Sequence, residues 1–600
     1  MDNNGSELDA CTCHTYNWLG MDPVAQIIKR FGGIRPMARK LTRALGQRVP
    51  PTTVQGWAQR GIIPASRQVD VLFAAKAEGL TLGPENFFAS ESGPCELSDV
   101  RNAGHELLTV HEMGAADRMA MEGGTPGIDL MEAAGSGVAQ VIMDRFQPCP
   151  TVVLCGPGNN GGDGFIIACH LADAGWLVEV ALLGEKSALD GDAAIAAQCW
   201  RDMSGAVAPL SVAALRGTGL IVDALFGAGL NRAIGGVARE VVEAAAASGQ
   251  PVVAVDIPSG VDGDSGLVLG VAAAAGLTVT FFRKKPGHLL MPGKALAGEV
   301  VVIDIGIPGS VLNCIRSATF ENTPELWVND FPWPDFNAHK YSRGHLVIGG
   351  GSEMTGAAQL AARAGLRIGA GLVTIACGPK AVPTYTSSMP AVLTATLERS
   401  GDFAAYLEDS RRRAILLGPG YGVDRKTHTH VLTALALGKL VCLDADALTV
   451  FVGRSSELFA AIAANSDAGG ATVLTPHEGE FARLFPGLSG RGKLARARMA
   501  AAESNAIVLI KGSDTVIAAP DGRAVINANA PPDLATGGTG DVLSGLIAGL
   551  LAQGVAPFEA TSMAVWIHGR AAAEFGPGLI AEDLTDCLPG VLRGLRQGAF

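Results

Sequence analysis

Aromatic side chains are scarce in this sequence: Phe, Trp and Tyr make up 5% of 600 residues. The 11 cysteines are scattered with no CxxC pair, and Cys155, Cys377 and Cys442 sit inside apolar runs. That excludes a disulfide-stapled secreted scaffold and a zinc ribbon. CTCH, at Cys11–His14, has no second Cys/His pair near it and yields no metal site. No apolar run reaches membrane-spanning length, and the amino terminus carries acids without an apolar signal core. The expectation is a cytoplasmic protein with no membrane partner. Apolar residues make up 48%, and Ala and Gly are abundant, which indicates a soluble α/β protein and argues against disorder. The chain is too long for one core, so three or four domains are expected.

Net charge is −12, yet Met21–Leu80 carries ten Lys or Arg against Asp22, Asp70 and Glu78. Residues 1–20 are an unpatterned tail. VAQIIKRFGG, IRPMARKLTRALG, PPTTVQGWAQRGIIP and RQVDVLFAAKAEGL then predict four short helices over 21–90, punctuated by Gly and Pro. Thr52 or Thr53 would cap the third helix, with Gln55, Gln59 and Arg60 on one face. PTTVQGWAQRGIIP resembles small phage-repressor-like helix-turn-helix domains, which implies DNA binding through a major-groove helix. A basic helical module that packs on an enzyme or mediates assembly reads equally well, and a homo-oligomer is expected. Residues 91–106 form a polar linker.

From residue 107 to about 310, TVVLC, LVEVALL, LIVDALF, PVVAVDIP, LTVTFF and GEVVVIDIGIP alternate with helical patterns, which predicts a parallel sheet with helices on both faces. FPWPDF, at Phe331–Phe336, marks a boundary. A second α/β rhythm follows over 325–600 in HLVIGGG, LVTIACG, AILLGPG, KLVCLDADAL, ATVLTPH and AIVLIKG. The expected fold class is two doubly wound α/β domains behind a small all-α domain.

CGPGNNGGDG, at Cys155–Gly164, contains GxGxxG between a strand and a helix, the spacing that lets backbone amides and a helix terminus receive a pyrophosphate. An acid about 20 residues on would hold a ribose, and Glu179 lies near that distance. Asn159, Asn160 and Asp163 add oxygens that such a loop does not require. Asp223 in LIVDALFGAGLNR, and Asp256 with Ser259 in VVAVDIPSGVDG, end two further strands, so three loops should share one crevice. Each loop alone would pass as a turn or a cap.

GPGNNGGDG, DALFGAG, DIPSGVDGDSG and KKPGH, with LLTVHEMGAADRMAM and LMEAAG upstream, closely resemble the NAD(P)H-hydrate epimerase family, which interconverts the R and S forms of NADH and NADPH hydrated at C6 of the nicotinamide ring. The resemblance implies a Rossmann-like fold. It implies that Asn159, Asn160, Gly161, Gly162 and Asp163, together with Gly227, Ala228, Gly229, Leu230, Asn231, Arg232 and Ala233, hold the hydrate, with Asp256 in contact. Asn160, Asp223 and Ser259 would bind potassium. Inversion at C6 requires a hydroxyl to leave and water to return, so a carboxylate must shuttle protons; Asp223 and Asp256 are the candidates. Cation ligation or loop bracing alone would equally explain Asp223.

In the second half, ATGGTGDVLSG places four glycines and Asp541 at the start of an apolar helix, an anion hole with a base beside it. No Walker A motif is present. LLGPGYG, LDADAL, LTPHEGEF and LIKGSDT fall at strand ends, and the set resembles the ribokinase-like fold. More narrowly, HKYSRGHLVIGG, TGAAQLAARAGLRIGAGLVT, TPHEGEFARL, KGSDTVIA and GGTGDVLSG resemble ADP-dependent NAD(P)H-hydrate dehydratase, which phosphorylates the S hydrate and releases phosphate to regenerate NAD(P)H. The resemblance assigns Lys511, Gly512, Ser513, Asp514, Thr515 and Gly540 to ADP. Ala357, Gly420, His477 and Asp541 would face the hydrate, with Asp541 as base and the HEGEF acids positioning Mg2+. NANAPPDLA, at Asn527–Ala535, departs from the NPTGNPGMA-like turn of such proteins, and its prolines supply no amides.

Together the halves imply bifunctional nicotinamide-nucleotide repair, with NADHX, NADPHX and ADP as small-molecule partners. The competing readings are a vitamin or sugar kinase fused to a Rossmann oxidoreductase, and a DNA-binding regulator that senses damaged cofactor.

Overall fold

The computed structural model describes residues 23–31, 34–45, 49–50, 54, 71, 74–77 and 104–599. The chain divides into two units, residues 1–101 and 102–600. In the first unit, helices Pro23–Arg30 and Ile34–Leu45 form where two of the four were expected. Ile27, Phe31, Met37, Leu41 and Val71 close its apolar core. CTCH lies outside the described residues, as does PTTVQGWAQRGIIP apart from Val54.

The second unit contains two sheets. The first has β1 (Thr151–Cys155), β2 (Val178–Leu182), β3 (Val207–Pro209), β4 (Leu220–Ala224), β5 (Val252–Val255), β6 (Leu277–Phe281) and β7 (Glu299–Ile303). Its order is β3-β2-β1-β4-β5-β6-β7, parallel throughout. Every residue of β1 is buried. Val153 and Cys155 face one apolar cluster and Val152 and Leu154 the other, so strand periodicity buries both faces and produces the unbroken run TVVLC. The strand order turns back on itself between β1 and β4, where an open α/β sheet leaves a crevice at its strand carboxyl ends.

The second sheet comprises β8 (Thr319–Glu321), β9 (His345–Gly350), β10 (Leu372–Cys377), β11 (Leu393–Thr396), β12 (Arg412–Leu417), β13 (Leu440–Leu443), β14 (Ala471–Leu474), β15 (Ile507–Ile510), β16 (Thr515–Ala518) and β17 (Ala524–Asn527). Its order is β11-β10-β9-β12-β13-β14-β15-β16-β17-β8. Strands β9 to β15 pair in parallel, β16 runs antiparallel to both neighbours, and β8 pairs parallel to β17. The sheet therefore takes its outermost strand from ahead of FPWPDF. Helix Thr539–Ala552 crosses helix Thr355–Arg367 at backbone contact: a side chain at Gly545 would run into the Ala361 carbonyl, and one at Gly549 into Gly365. This close crossing seats the start of the GTGD helix against the sheet.

Candidate active sites

A cleft of about 1000 Å3 opens at the β1/β4 crossover. Its glycine turn is required by contact: a Cβ on Gly156 would overlap the Leu225 carbonyl, and one on Gly161 the Gly156 carbonyl. Helix Asn159–Asp173 starts directly from the turn. Asn159, Asn160, Asp163, Asp256 and the loop Gly227–Ala233 all line the cleft. Gly161 and Gly162 are buried in the first turn of the helix.

Asp256 sits at φ +66, a strained value for a non-glycine residue, and is held there by convergent bonds. Its Oδ1 accepts from Lys285 Nζ (2.7 Å) and Thr280 Oγ1 (3.0 Å), and its Oδ2 from the Ala228 amide (2.8 Å). Burial resists ionisation, but the Lys285 ammonium overcomes it and holds the Asp256 carboxyl at about 2. His288 Nδ1 accepts from the Lys285 amide (2.9 Å), so Nε2 carries the proton and donates to the Asp256 carbonyl (2.8 Å). Burial, with Lys285 nearby, keeps His288 neutral down to about pH 4.

Asp163 behaves oppositely. Burial, reinforced by Asp256 and Asp117, pushes its pKa well above the usual carboxylate range. Asp117 also lines the cleft, and burial raises its pKa against the pull of Lys285. One cleft thus holds a carboxyl that a lysine pulls down and a carboxyl that burial pushes up, the separation that acid–base chemistry uses.

Asp223 and Ser259 do not line the cleft. Asp223 Oδ1 accepts from Ser259 Oγ (2.6 Å) and the Leu225 amide (3.3 Å), and Oδ2 accepts from the Ser259 amide (2.9 Å). Burial raises its pKa, and the Ser259 bonds oppose that rise. Asn160 lies beside Gly227 and Asp256, with its buried Nδ2 unpartnered. Because both Asp223 oxygens accept, Asp223→Asn turns an NH2 against a donor. A loss of about 1–3 kcal/mol is expected in denaturant unfolding.

In the second sheet a cavity of about 480 Å3 is lined by Lys511, Gly512, Ser513, Thr515 and Gly540, with His477 at its rim. Pro531, Pro532 and Leu534 form an apolar wall. Pro531 and Pro532 have no N–H, and the amides of Leu534, Ala535 and Thr536 are bonded within the turn, so this wall presents few donors. Asp514 is turned away from the cavity, its Oδ1 accepting from Lys493 Nζ (2.6 Å).

Lys511 Nζ reaches Asp444 Oδ1 (2.8 Å) and lies 4.0 Å from Glu480 Oε2. Ala445, between Asp444 and Asp446, has φ +45, a second strained residue at a strand end. Asp541 lies in the first turn of helix Thr539–Ala552. Burial first, then Asp444, lift its pKa to about 6, with Lys511 opposing. His477 caps helix Glu478–Leu484, its Nδ1 accepting from the Gly479 amide (3.0 Å). Glu480 turns inward to accept from the His477 amide (2.9 Å), whereas Glu478 pairs outward with Arg496 (2.6 Å). Gly420, at φ +58, packs against Met354 and Ala357, so the predicted residues Gly420 and Ala357 lie together.

Lys285, Thr280 and Asp117 were missed as site residues. KKPGH and HEMGAADRMAM both stand out in the sequence, but nothing local pairs Lys285 with an acid 29 residues upstream. Only the β5–β6 adjacency does.

A family model described as NAD(P)H-hydrate dehydratase matches residues 345–587, and one described as YjeF-related protein N-terminus matches 127–287. The bifunctional NAD(P)H-hydrate repair enzyme of Thermofilum pendens is 38% identical over 521 residues, covering 82% of this chain and 97% of its own. That of Salinibacter ruber is 37% identical over 532 residues, covering 81% and 96%. A crystal structure of an ADP/ATP-dependent NAD(P)H-hydrate dehydratase from Bacillus subtilis is 30% identical, covers 46% of this chain and 98% of that one, and has a TM-score of 0.41. On the extent and identity of the two full-length matches, the chain belongs to the family of bifunctional NAD(P)H-hydrate repair enzymes.

Proposed function

We propose that the first sheet's cleft interconverts R- and S-NAD(P)H hydrate and that the second sheet's site dehydrates the S form at the expense of ADP. The observation that carries this is the cleft that gathers Asn159, Asn160 and Asp163 beside Asp256, whose carboxylate is paired with Lys285, a polar set that a hydride-transfer site would not need. Asp163 gives its proton to the C6 hydroxyl and the C–O bond breaks. The ring nitrogen's lone pair forms an iminium, which ionised Asp256 stabilises. Water adds to the opposite face and returns its proton to Asp163. Asp223 and Ser259 then serve to shape the loop behind the cleft.

A monovalent cation fits the buried Asp223 carboxylate, whose hydrogen-bond partners include no basic side chain, whereas the orphaned Asn160 Nδ2 is a donor that suits an acceptor of the substrate and leaves Oδ1 as the ligating atom. Asn160 Oδ1, Asp223 and Ser259 would hold potassium, which would supply a positive charge beside the cleft.

In the second site Asp541 takes the proton of the S hydrate's hydroxyl as that oxygen attacks the terminal phosphorus of ADP and AMP leaves. Expulsion of phosphate and loss of a C5 proton then regenerate NAD(P)H. Lys511 and the amides opening helix Thr539–Ala552 face the transferring phosphoryl group. Among the described residues no group of three or more His, Cys, Asp or Glu would by itself hold a metal ion. Mg2+ fits instead as a nucleotide-bound ion that needs one or two carboxylates, for which inward-facing Glu480 suits better than Glu478, and it supplies charge neutralisation at the phosphates.

The test is hydrated NADH mixed with the protein and ADP or ATP. Near-ultraviolet NADH absorbance should return. Failure with both nucleotides rejects the dehydratase reading, and net formation of a stable phosphorylated product favours a kinase.

For the amino-terminal unit, helices Pro23–Arg30 and Ile34–Leu45 carry six Lys or Arg and no acid, which supports DNA contact. Retention of the full-length chain on duplex DNA should then fall steeply with salt. No retention at low salt would reject it. Among the described residues no helix is long and apolar enough to cross a membrane.

A further inference from the structure

The two loops that wall the nucleotide cavity, Lys511–Thr515 and Asn527–Ala535, are joined by a side chain from the first half of the enzyme. Lys294 Nζ donates to the Ser513 carbonyl (2.8 Å) in one loop and to the Ala528 carbonyl (2.8 Å) in the other. Three residues earlier the Met291 amide donates to Asp514 Oδ2 (2.9 Å), the carboxylate whose other oxygen is taken by Lys493. Leu289 and Leu290 anchor this segment from behind. They are buried in the same apolar cluster as Ile510, Val516 and Ile526, residues of the three strands from which both loops emerge.

We infer that Lys294 is a positioning residue for the nucleotide site of the dehydratase, supplied by the epimerase half: its ammonium fixes the spacing of the two loops that grip ADP. An ammonium suits this place because it has three donors and no acceptor, so it satisfies two carbonyls that would otherwise repel each other across the gap. Lys294 is half-buried and does not line the cavity, so it acts through the loops and not on the nucleotide. The inference rests on reading that cavity as the nucleotide site.

The test compares full-length Lys294→Met, which keeps the aliphatic stem, and Lys294→Arg, which keeps the charge. Loss of two charge-assisted bonds to the loops should raise KM for ADP about tenfold. kcat should change little, R/S interconversion should be unaltered, and Lys294→Arg should recover most of the ADP affinity. Unchanged KM for ADP in Lys294→Met overturns the inference, as does a fall in kcat, interconversion and Tm together, the mark of a structural strut. Absence of ADP-dependent turnover in the unmodified chain would sink the nucleotide reading itself, a result distinguishable from failure of the variant alone.

Discussion

Asp541→Asn is expected to lower ADP-dependent recovery of NADH from the S hydrate by about a thousandfold, with R and S forms still interconverting at the original rate. Asp541 stands at the mouth of a helix whose first amides attract anions, and burial plus Asp444 lift its carboxyl to about 6. A base works only when ionised. The kcat/KM for dehydration should therefore rise with pH through about 6 and level off above it. Asp444→Asn removes the like charge and releases Lys511 from its 2.8 Å pairing. Both changes favour ionised Asp541, so the acid limb should move to lower pH. A limb that stays put, or interconversion that fails alongside dehydration in Asp541→Asn, would contradict the assignment.

The second large effect belongs to Lys285→Met. This lysine is 2% exposed and its ammonium is what overcomes burial at Asp256. Without it, the buried carboxylate has lost its counter-charge and its pKa climbs from about 2. Interconversion of R and S, followed by chromatography, should fall about a hundredfold at neutral pH. It should recover as pH is raised and Asp256 ionises again, whereas the parent enzyme should show no such limb. The same linkage acts on stability. Because the folded-state pKa of Asp256 is depressed, its pairing stabilises the fold above the unfolded carboxylate pKa, and that contribution is lost as pH falls towards 2.

Strands buried on both faces were the easiest elements to see in the sequence. TVVLC is an unbroken apolar run, and LIVDALF is broken only by Asp223, because neither side of β1 or β4 meets water. Their parallel pairing followed from the alternation with helical patterns, and the glycine turns marked where the crevices would be, but the order of the strands did not. Strands β8, β16 and β17 escaped notice for a physical reason. They are three or four residues long, and Thr and Asn at their ends satisfy hydrogen bonds that an apolar pattern does not register. At the sites, motif residues were legible as groups but not by orientation. KGSDT contains four residues that line the cavity and one, Asp514, that turns to the opposite side. Asp223 looked equivalent to Asp256 at a strand end, yet one braces Ser259 and the other faces the cleft. Peptide direction at a strand terminus decides that, and it is set by contacts distant in sequence.

Strand β8 bears on how this gene could ever be divided. Thr319–Glu321 completes the second sheet beyond β17, while Leu107, Leu289 and Leu290 fill the second apolar core from positions inside the first half. A break at FPWPDF would leave one product with a bare strand edge and a gap in its core, and the other with exposed leucines, surfaces that invite aggregation. Separately made halves would each need these surfaces covered, by re-association with each other or by a new segment.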